Sequence, residues 1–160
     1  MDDVVTIMAR VGIVGVGLTG GSLFAFSTFI MAALKQLPDA EGIRAMQQIN
    51  TTVFTPWFMV PFFGTAALGL GAVVLGLIHM EQPWSIGLAA AGLSYVLGVF
   101  VVTAAGNVPL NARLDRMSSD DPEAAAFWHR YLRIWMRWNH VRAATSVLSM
   151  LLFGSVLAAM

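Results

Sequence analysis

The stretch VGIVGVGLTGGSLFAFSTFIMAAL, residues 11–34, decides the fold of this chain because it contains no charged side chain. At about 1.5 Å per residue, a helix of this length exceeds the roughly 30 Å hydrocarbon core of a bilayer. The stretch is too long for a signal peptide, and Asp2 and Asp3 precede it where a signal peptide would carry basic residues. It therefore predicts a membrane-spanning helix that belongs to the folded protein.

Three further apolar stretches are long enough to cross a bilayer, and they comprise residues 53–78, 84–105 and 143–160. The last is only just long enough. No Gly or Pro occurs between Glu123 and Phe153, so its helix is expected to begin upstream of the span. Asp120 or Asp121 followed by Pro122 is a favourable helix start, because aspartate caps free backbone N–H groups and proline fits the first turn.

These four spans predict an all-α fold, in which residues 1–160 form a single four-helix transmembrane domain. The C-terminal helix is expected to be amphipathic at first and membrane-spanning afterwards. The composition agrees, since 58% of the residues are hydrophobic and only 11% are charged. The formal net charge of zero gives no sign of a nucleic-acid partner, and the lack of cysteine excludes disulfides and thiolate sites.

The basic residues are distributed unevenly between the two sides of the predicted bundle. Only Arg10 lies on the side of the termini, whereas eight basic residues lie on the side of the two longer loops. The positive-inside rule then places loops 1 and 3 in the cytoplasm and both termini outside, in the plasma or cell inner membrane. The eight residues are Lys35, Arg44, Arg113, Arg116, Arg130, Arg133, Arg137 and Arg142.

The segment RYLRIWMRWNHVR, residues 130–142, precedes the last span and separates into two faces at about 100° per residue. One face carries Arg130, Arg133, Arg137, His129 and His140. The other carries Tyr131, Trp135, Trp138, Asn139 and Arg142. The basic face is typical of a helix that reaches lipid phosphates at the membrane surface. Asn139 and Arg142 are expected to face the bundle, where a charge is usually partnered or functional.

A second polar segment, TAAGNVPLNARL, lies at residues 103–114, where the third span ends. Pro109 is expected to break the helix there, because proline cannot continue the hydrogen-bond ladder. Asn107 and Asn111 would then turn inward. Since this segment and residues 139–142 are the two ends of one loop, their side chains are expected to converge at one depth between the last two spans.

A metal site built from this helix alone is excluded by distance. His129 and His140 are eleven residues apart, which is about 16 Å along a helix axis, so they cannot share one ion. A metal at His140 would need ligands from other helices, and the spans contain no carboxylate. A role for His140 as a base or a structural residue is therefore favoured.

Four motifs taken in order resemble the anthrone oxygenase family of small four-helix membrane proteins. They are FAFSTFIMAAL at 24–34, LPDAEGIRAMQQIN at 37–50, NVPLN at 107–111 and WNHVR at 138–142. The resemblance implies oxidation of an anthrone to an anthraquinone. It departs from the family pattern at Ala143, where a Thr is expected. It points to site residues Asn107, Pro109, Asn111, Trp138, Asn139, His140 and Arg142, with Met46, Gln47 and Asn50 as a rim.

These residues permit a hypothesis for the chemistry of a flat, hydrophobic aromatic substrate and O2. An imidazole can accept a proton at neutral pH, so His140 is the candidate base. Asn107, Asn111 and Arg142 are the candidate donors to the developing oxyanion. Substrate binding is assigned to a further set consisting of Asn139, Trp138, Trp135, Tyr131 and Asn50. No cofactor is required on this hypothesis, because the glycines form no nucleotide-binding motif.

Two alternatives remain open at the level of the sequence. In the first, His140 binds copper or iron together with ligands from other helices, for metal-dependent oxidation. In the second, the protein is a non-enzymatic membrane module that binds a lipid or another hydrophobic small molecule through its basic face. The expected partners are membrane lipids and the aromatic substrate. Gly17 and Gly21, four residues apart in the first span, also predict close helix packing and self-association into a homo-oligomer.

Overall fold

A computed structural model describes all 160 residues, and it contains five helices and no strand. Four of the helices are long and apolar enough to cross a membrane, which confirms the predicted all-α transmembrane fold. The second helix is short and packs at one end of the bundle, in the segment between the first two spans. The helices are α1 (Asp2–Gln36), α2 (Asp39–Thr52), α3 (Pro56–Ile78), α4 (Ser85–Leu114) and α5 (Pro122–Ala158).

Helix α5 begins as the sequence predicts. Asp121 caps it, since its carboxylate accepts a 2.8 Å hydrogen bond from the backbone N–H of Glu123. Pro122 occupies the first turn, where its missing N–H leaves no helical partner unsatisfied. The helix then runs without interruption for 37 residues, so it joins the predicted amphipathic segment to the last span.

The predicted helix break at Pro109 is wrong, because α4 continues through this residue to Leu114. The turn before it, Thr103–Asn107, is π-helical, and the N–H of Val108 reaches the carbonyl of Thr103. This wider turn places Pro109 in the first turn of the following α-helical segment, where a missing N–H is tolerated. The third span is therefore longer than the predicted residues 84–105.

The core of the bundle consists of two apolar clusters at different depths. The cluster near the termini includes Val16 of α1, Tyr95 of α4 and Phe153 of α5. The other includes Met46 of α2 and Trp128 of α5. Along α5, the second cluster ends at Trp135 and the buried members of the first begin at Phe153, so the polar residues Asn139 and Arg142 lie between the two.

The glycines of α1 divide between the interior and the outer surface. A side chain on Gly12 would meet the ring of Phe153 at 2.9 Å, and one on Gly20 would meet Ser146 at 2.7 Å. These two positions therefore permit close helix packing. Gly17 and Gly21 have no neighbour within 4 Å, so their predicted packing inside the bundle is wrong. Self-association through them stays a prediction.

Candidate functional site

Arg142 is a cation inside the bundle that lacks a carboxylate partner. Its side chain is only 5% exposed, and it donates hydrogen bonds to Asn139 Oδ1 at 2.7 Å and to Thr103 Oγ1 at 3.1 Å. Its Nε atom is buried and has no hydrogen-bond partner. None of the four ion pairs in the structure includes it. A buried charge without a counter-charge is costly, and it marks this position as a candidate site for an anionic group.

Asn139 connects Arg142 to helix α1. It is fully buried, and its Nδ2 donates to the carbonyl of Leu23 and to Ser27 Oγ, both at 2.8 Å. Ser27 lies in a π-helical turn of α1, Phe26–Ile30, and such turns are frequent at functional sites. The two bonds from its NH2 group, together with the bond from Arg142 to its oxygen, fix the orientation of the Asn139 amide.

His140 joins the same network from the outer side of α5. Its Nδ1 lies 3.1 Å from Ser27 Oγ, and the residue itself is exposed. Ser27 therefore links the buried Asn139 to the accessible imidazole. A continuous path of hydrogen bonds runs from His140 through Ser27 and Asn139 to Arg142 and Thr103.

A second group of predicted residues surrounds Asn111 of α4. The Oδ1 atom of Asn111 accepts hydrogen bonds from the hydroxyl of Tyr131 and from the indole N–H of Trp135, both at 2.9 Å. The rings of Tyr131 and Trp135 are buried and stacked with centroids 6.3 Å apart. Trp135 also lies beneath Arg142, whose guanidinium carbon is 5.1 Å from its ring centroid. Trp135 is thus the contact between the two groups.

Asn107 faces the backbone of α5 rather than a side chain of the first group. Its Nδ2 donates to the carbonyl of Trp135 at 3.2 Å, and its Oδ1 is buried without a partner. The predicted role of Asn107 as an oxyanion donor requires a free N–H. One N–H of the Asn107 NH2 group remains for this role, because only the other bonds Trp135, and the free Oδ1 can also accept from a hydroxyl group on a ligand.

The expected convergence of these residues at a single depth is wrong. Arg142 contacts Thr103, whereas Asn107 and Asn111 contact Trp135, which lies two turns earlier in α5. Because α4 and α5 run antiparallel, Arg142 and His140 lie deeper in the bundle than the two asparagines of NVPLN. His140 and Asn107 consequently have different hydrogen-bond partners, Ser27 for the first and the Trp135 backbone for the second.

Of the other predicted substrate-binding residues, Trp138 lies apart from these groups, whereas Asn50 lies beside the hydroxyl of Tyr131 in the second group. Trp138 is 42% exposed and covers Gly106 at the surface of the bundle, so its predicted place beside Tyr131 and Trp135 on the inward face is wrong. Asn50 donates to Asp115 at 3.0 Å at the loop end of the bundle. In the predicted rim, Gln47 donates to the carbonyl of Leu114 at the end of α4 and to that of Met117 in the following loop, and Met46 is part of the core.

Sequence reasoning missed Ser27 and Thr103, which hold His140 and Arg142 through their hydroxyl groups. Both lie in apolar spans, where an isolated Ser or Thr usually bonds its own helix backbone and gives no signal. The only indication was their presence in the quoted motifs FAFSTFIMAAL and TAAGNVPLNARL.

No group of three or more His, Asp or Glu side chains is placed to share a metal ion, and the nearest carboxylate to His129 is Asp39, at 3.1 Å.

These features define an integral membrane protein of four spanning helices with a buried cationic site between them. A family model for anthrone oxygenase matches residues 54–152, and the chain belongs to this family. The match covers α3, α4 and most of α5, and so includes Thr103, Asn107, Asn111 and residues 139–142. The two motifs at 24–34 and 37–50 lie outside it. Neither the curated proteins nor the solved structures include a significant match to this chain.

Proposed function

We propose that this protein is a membrane oxygenase that oxidises a flat, hydrophobic, weakly acidic aromatic ketone of the anthrone type with O2. The observation that carries the proposal is the unpaired buried charge of Arg142. The enolate of such a ketone is a delocalised anion, and the free Nε–H of Arg142 is a donor for its oxygen. Family membership supports the same class of reaction.

His140 is the proposed base. If its Nδ1–H donates to Ser27 Oγ, its Nε2 keeps a lone pair that can accept a proton from the substrate. Counted back from Ala158, about 20 helical residues fill the hydrocarbon core, so the boundary of the core falls near His140. An aromatic substrate dissolved in the bilayer can approach the exposed imidazole at this depth.

The proposed reaction converts an anthrone and O2 into an anthraquinone and water. His140 removes a proton from the benzylic CH2 group and leaves an enolate, whose oxygen Arg142 stabilises. The enolate donates electrons to O2, and a carbon–oxygen bond forms at the former CH2 carbon. The resulting peroxide takes up the proton held by His140. Loss of the second C–H proton and cleavage of the O–O bond then give the new carbonyl and one molecule of water.

The other predicted residues have supporting roles in this proposal. Asn111 uses its oxygen to bind Tyr131 and Trp135, which leaves its NH2 group to donate to a ligand. Asn107 offers its free oxygen to a substrate hydroxyl. Trp138 provides an exposed ring over Gly106 of α4, and Asn50 lies at the loop end of the site.

The proposal is tested with purified protein in lipid nanodiscs, with anthrone as the substrate and 18O2 as the oxidant. One labelled oxygen should enter the quinone, and the rate without protein is subtracted because anthrones oxidise slowly in air. His140→Ala should lower kcat by about 10²- to 10⁴-fold, the usual contribution of a general base. His129→Ala is the matched control, since His129 is an exposed histidine of the same helix. Equal rates in the two variants would reject His140 as the base.

A further inference from the structure

A pocket of about 520 Å³ opens between α1 and α5, on the loop side of the Ser27–His140 contact. Met31 and Leu132 form its buried floor, and Met136 adds an apolar wall that is partly buried. Lys35 and Arg133 form part of its exposed rim. The pocket therefore combines an apolar groove with two cations at its mouth.

The two cations at the rim are free of acidic partners. The four ion pairs in the structure leave out both Lys35 and Arg133. His129, which also lines the pocket, lies 3.1 Å from Asp39, so the nearby carboxylate faces the imidazole. Lys35 and Arg133 thus present uncompensated positive charge to whatever occupies the groove.

The pocket lies at the depth of the lipid headgroups. If the hydrocarbon core ends near residue 139 of α5, Met136 and Arg133 lie about 5 and 9 Å beyond it along the helix axis. The headgroup layer begins at this boundary, and long basic side chains reach into it while their stems stay on apolar surface. The apolar floor of the pocket continues from this boundary towards the core of the bilayer.

We infer that this pocket binds one anionic phospholipid from the leaflet at the basic end of the protein. The headgroup phosphate lies between Lys35 and Arg133. One acyl chain lies in the groove formed by Met31, Leu132 and Met136. Bound in this way, the lipid joins α1 to α5 one turn away from the Ser27–His140 contact. This site is separate from the proposed oxidation chemistry and does not depend on it.

The inference is tested by native mass spectrometry of the full-length protein in detergent, titrated with phosphatidylglycerol and with phosphatidylcholine. The anionic lipid should bind at least tenfold more tightly. Each Lys or Arg near a membrane surface typically strengthens binding about fivefold, so Lys35→Gln with Arg133→Gln should weaken phosphatidylglycerol binding by about 25-fold. The control, Arg130→Gln with Arg137→Gln, removes the same charge from exposed positions outside the pocket and should change the affinity less than twofold.

A second variant tests the contribution of the groove separately from that of the two cations. Ala32→Trp fills the opening and keeps both cations, and it should also weaken lipid binding by at least tenfold. The inference is overturned if phosphatidylcholine binds as tightly as phosphatidylglycerol, or if the control pair weakens binding as much as the pocket pair. Unchanged binding in Ala32→Trp would also overturn it. So would tight binding of free glycerol phosphate, because the site would then recognise a soluble phosphate.

Discussion

The buried guanidinium of Arg142 should affect activity and stability in different ways. Arg142→Met keeps most of the side-chain volume and removes the charge. Removal of the guanidinium also leaves the buried Asn139 Oδ1 without its hydrogen-bond donor, so the free energy of unfolding should fall by about 1–3 kcal/mol. Loss of an oxyanion donor should lower kcat/KM by about 10²- to 10³-fold. Anthrone turnover and thermal unfolding in the same detergent measure the two effects.

Arg137→Met is the matched control for this prediction, because Arg137 is exposed on the same helix. Both its activity and its unfolding temperature should match those of the wild type. If the folded Arg142→Met variant keeps the wild-type kcat/KM, Arg142 serves the fold rather than an anionic intermediate.

The hydroxyl of Ser27 is expected to position His140 from the neighbouring helix. Ser27→Ala removes the partner of the imidazole and one of the two acceptors of the Asn139 amide. A hydrogen bond of this kind contributes about 1 kcal/mol and a buried group left unpaired costs somewhat more, so kcat/KM should fall about tenfold. Ser22→Ala is the control, since the hydroxyl of Ser22 bonds only the Leu18 carbonyl within its own helix. A decrease of equal size in both variants would contradict the positioning role.

The contact between α3 and α4 depends on two glycines that let the backbones approach. A side chain on Gly92 would meet the backbone of Gly69, which cannot move aside without displacing its helix. Gly92→Ala should therefore lower the free energy of unfolding by about 1–3 kcal/mol, as overpacking usually does. Gly64→Ala, on the open side of α3, should change it little. Denaturant unfolding in mixed micelles measures both, and equal stabilities would contradict the close contact.

The four spanning helices were predictable from the sequence, because length, hydropathy and capping act locally, whereas the short α2 in the first loop was not predicted. The apolar stretches form the spans, and Asp121 caps the last helix, as the sequence predicts. Tyr131, Trp135 and Asn139 face the interior, as the helical periodicity of their segment predicts. Trp138 falls near the same face but is exposed, because its ring lies over Gly106 of α4 at the outer surface of the bundle, where it is only partly covered. Such cover depends on a neighbouring helix, which the periodicity of one helix does not encode.

The depth at which the site residues meet was not predictable for a related reason. The loop that joins α4 and α5 brings its two ends to the same side of the bundle, but it does not set which residues face each other. The π-helical turn Thr103–Asn107 adds to the offset, because it changes the helical register just before Asn107. Arg142 consequently meets Thr103 rather than Asn107.

The whole molecule carries its positive charge at one end. Thr6 and Met160 are in contact at 3.3 Å, so both termini lie together at the end opposite the two longer loops. Of the eight basic residues on the loop side, Arg142 is buried in the site and should not be counted for topology. The remaining seven still outnumber Arg10. We therefore propose that the longer loops face the cytoplasm and the termini face outward.

Single cysteines test this orientation directly, because the chain contains none of its own. Ser118→Cys places an exposed thiol in the loop between α4 and α5, and Gln82→Cys places one in the turn between α3 and α4. In sealed right-side-out vesicles, a membrane-impermeant maleimide should label Gln82→Cys and leave Ser118→Cys unlabelled. In inverted vesicles the pattern should reverse, because the cytoplasmic side then faces the reagent. The seven remaining basic residues favour a cytoplasmic location for the loops that carry them. Labelling of Ser118→Cys alone in right-side-out vesicles would show that the basic end faces outward, and the proposed lipid pocket would then draw from the outer leaflet.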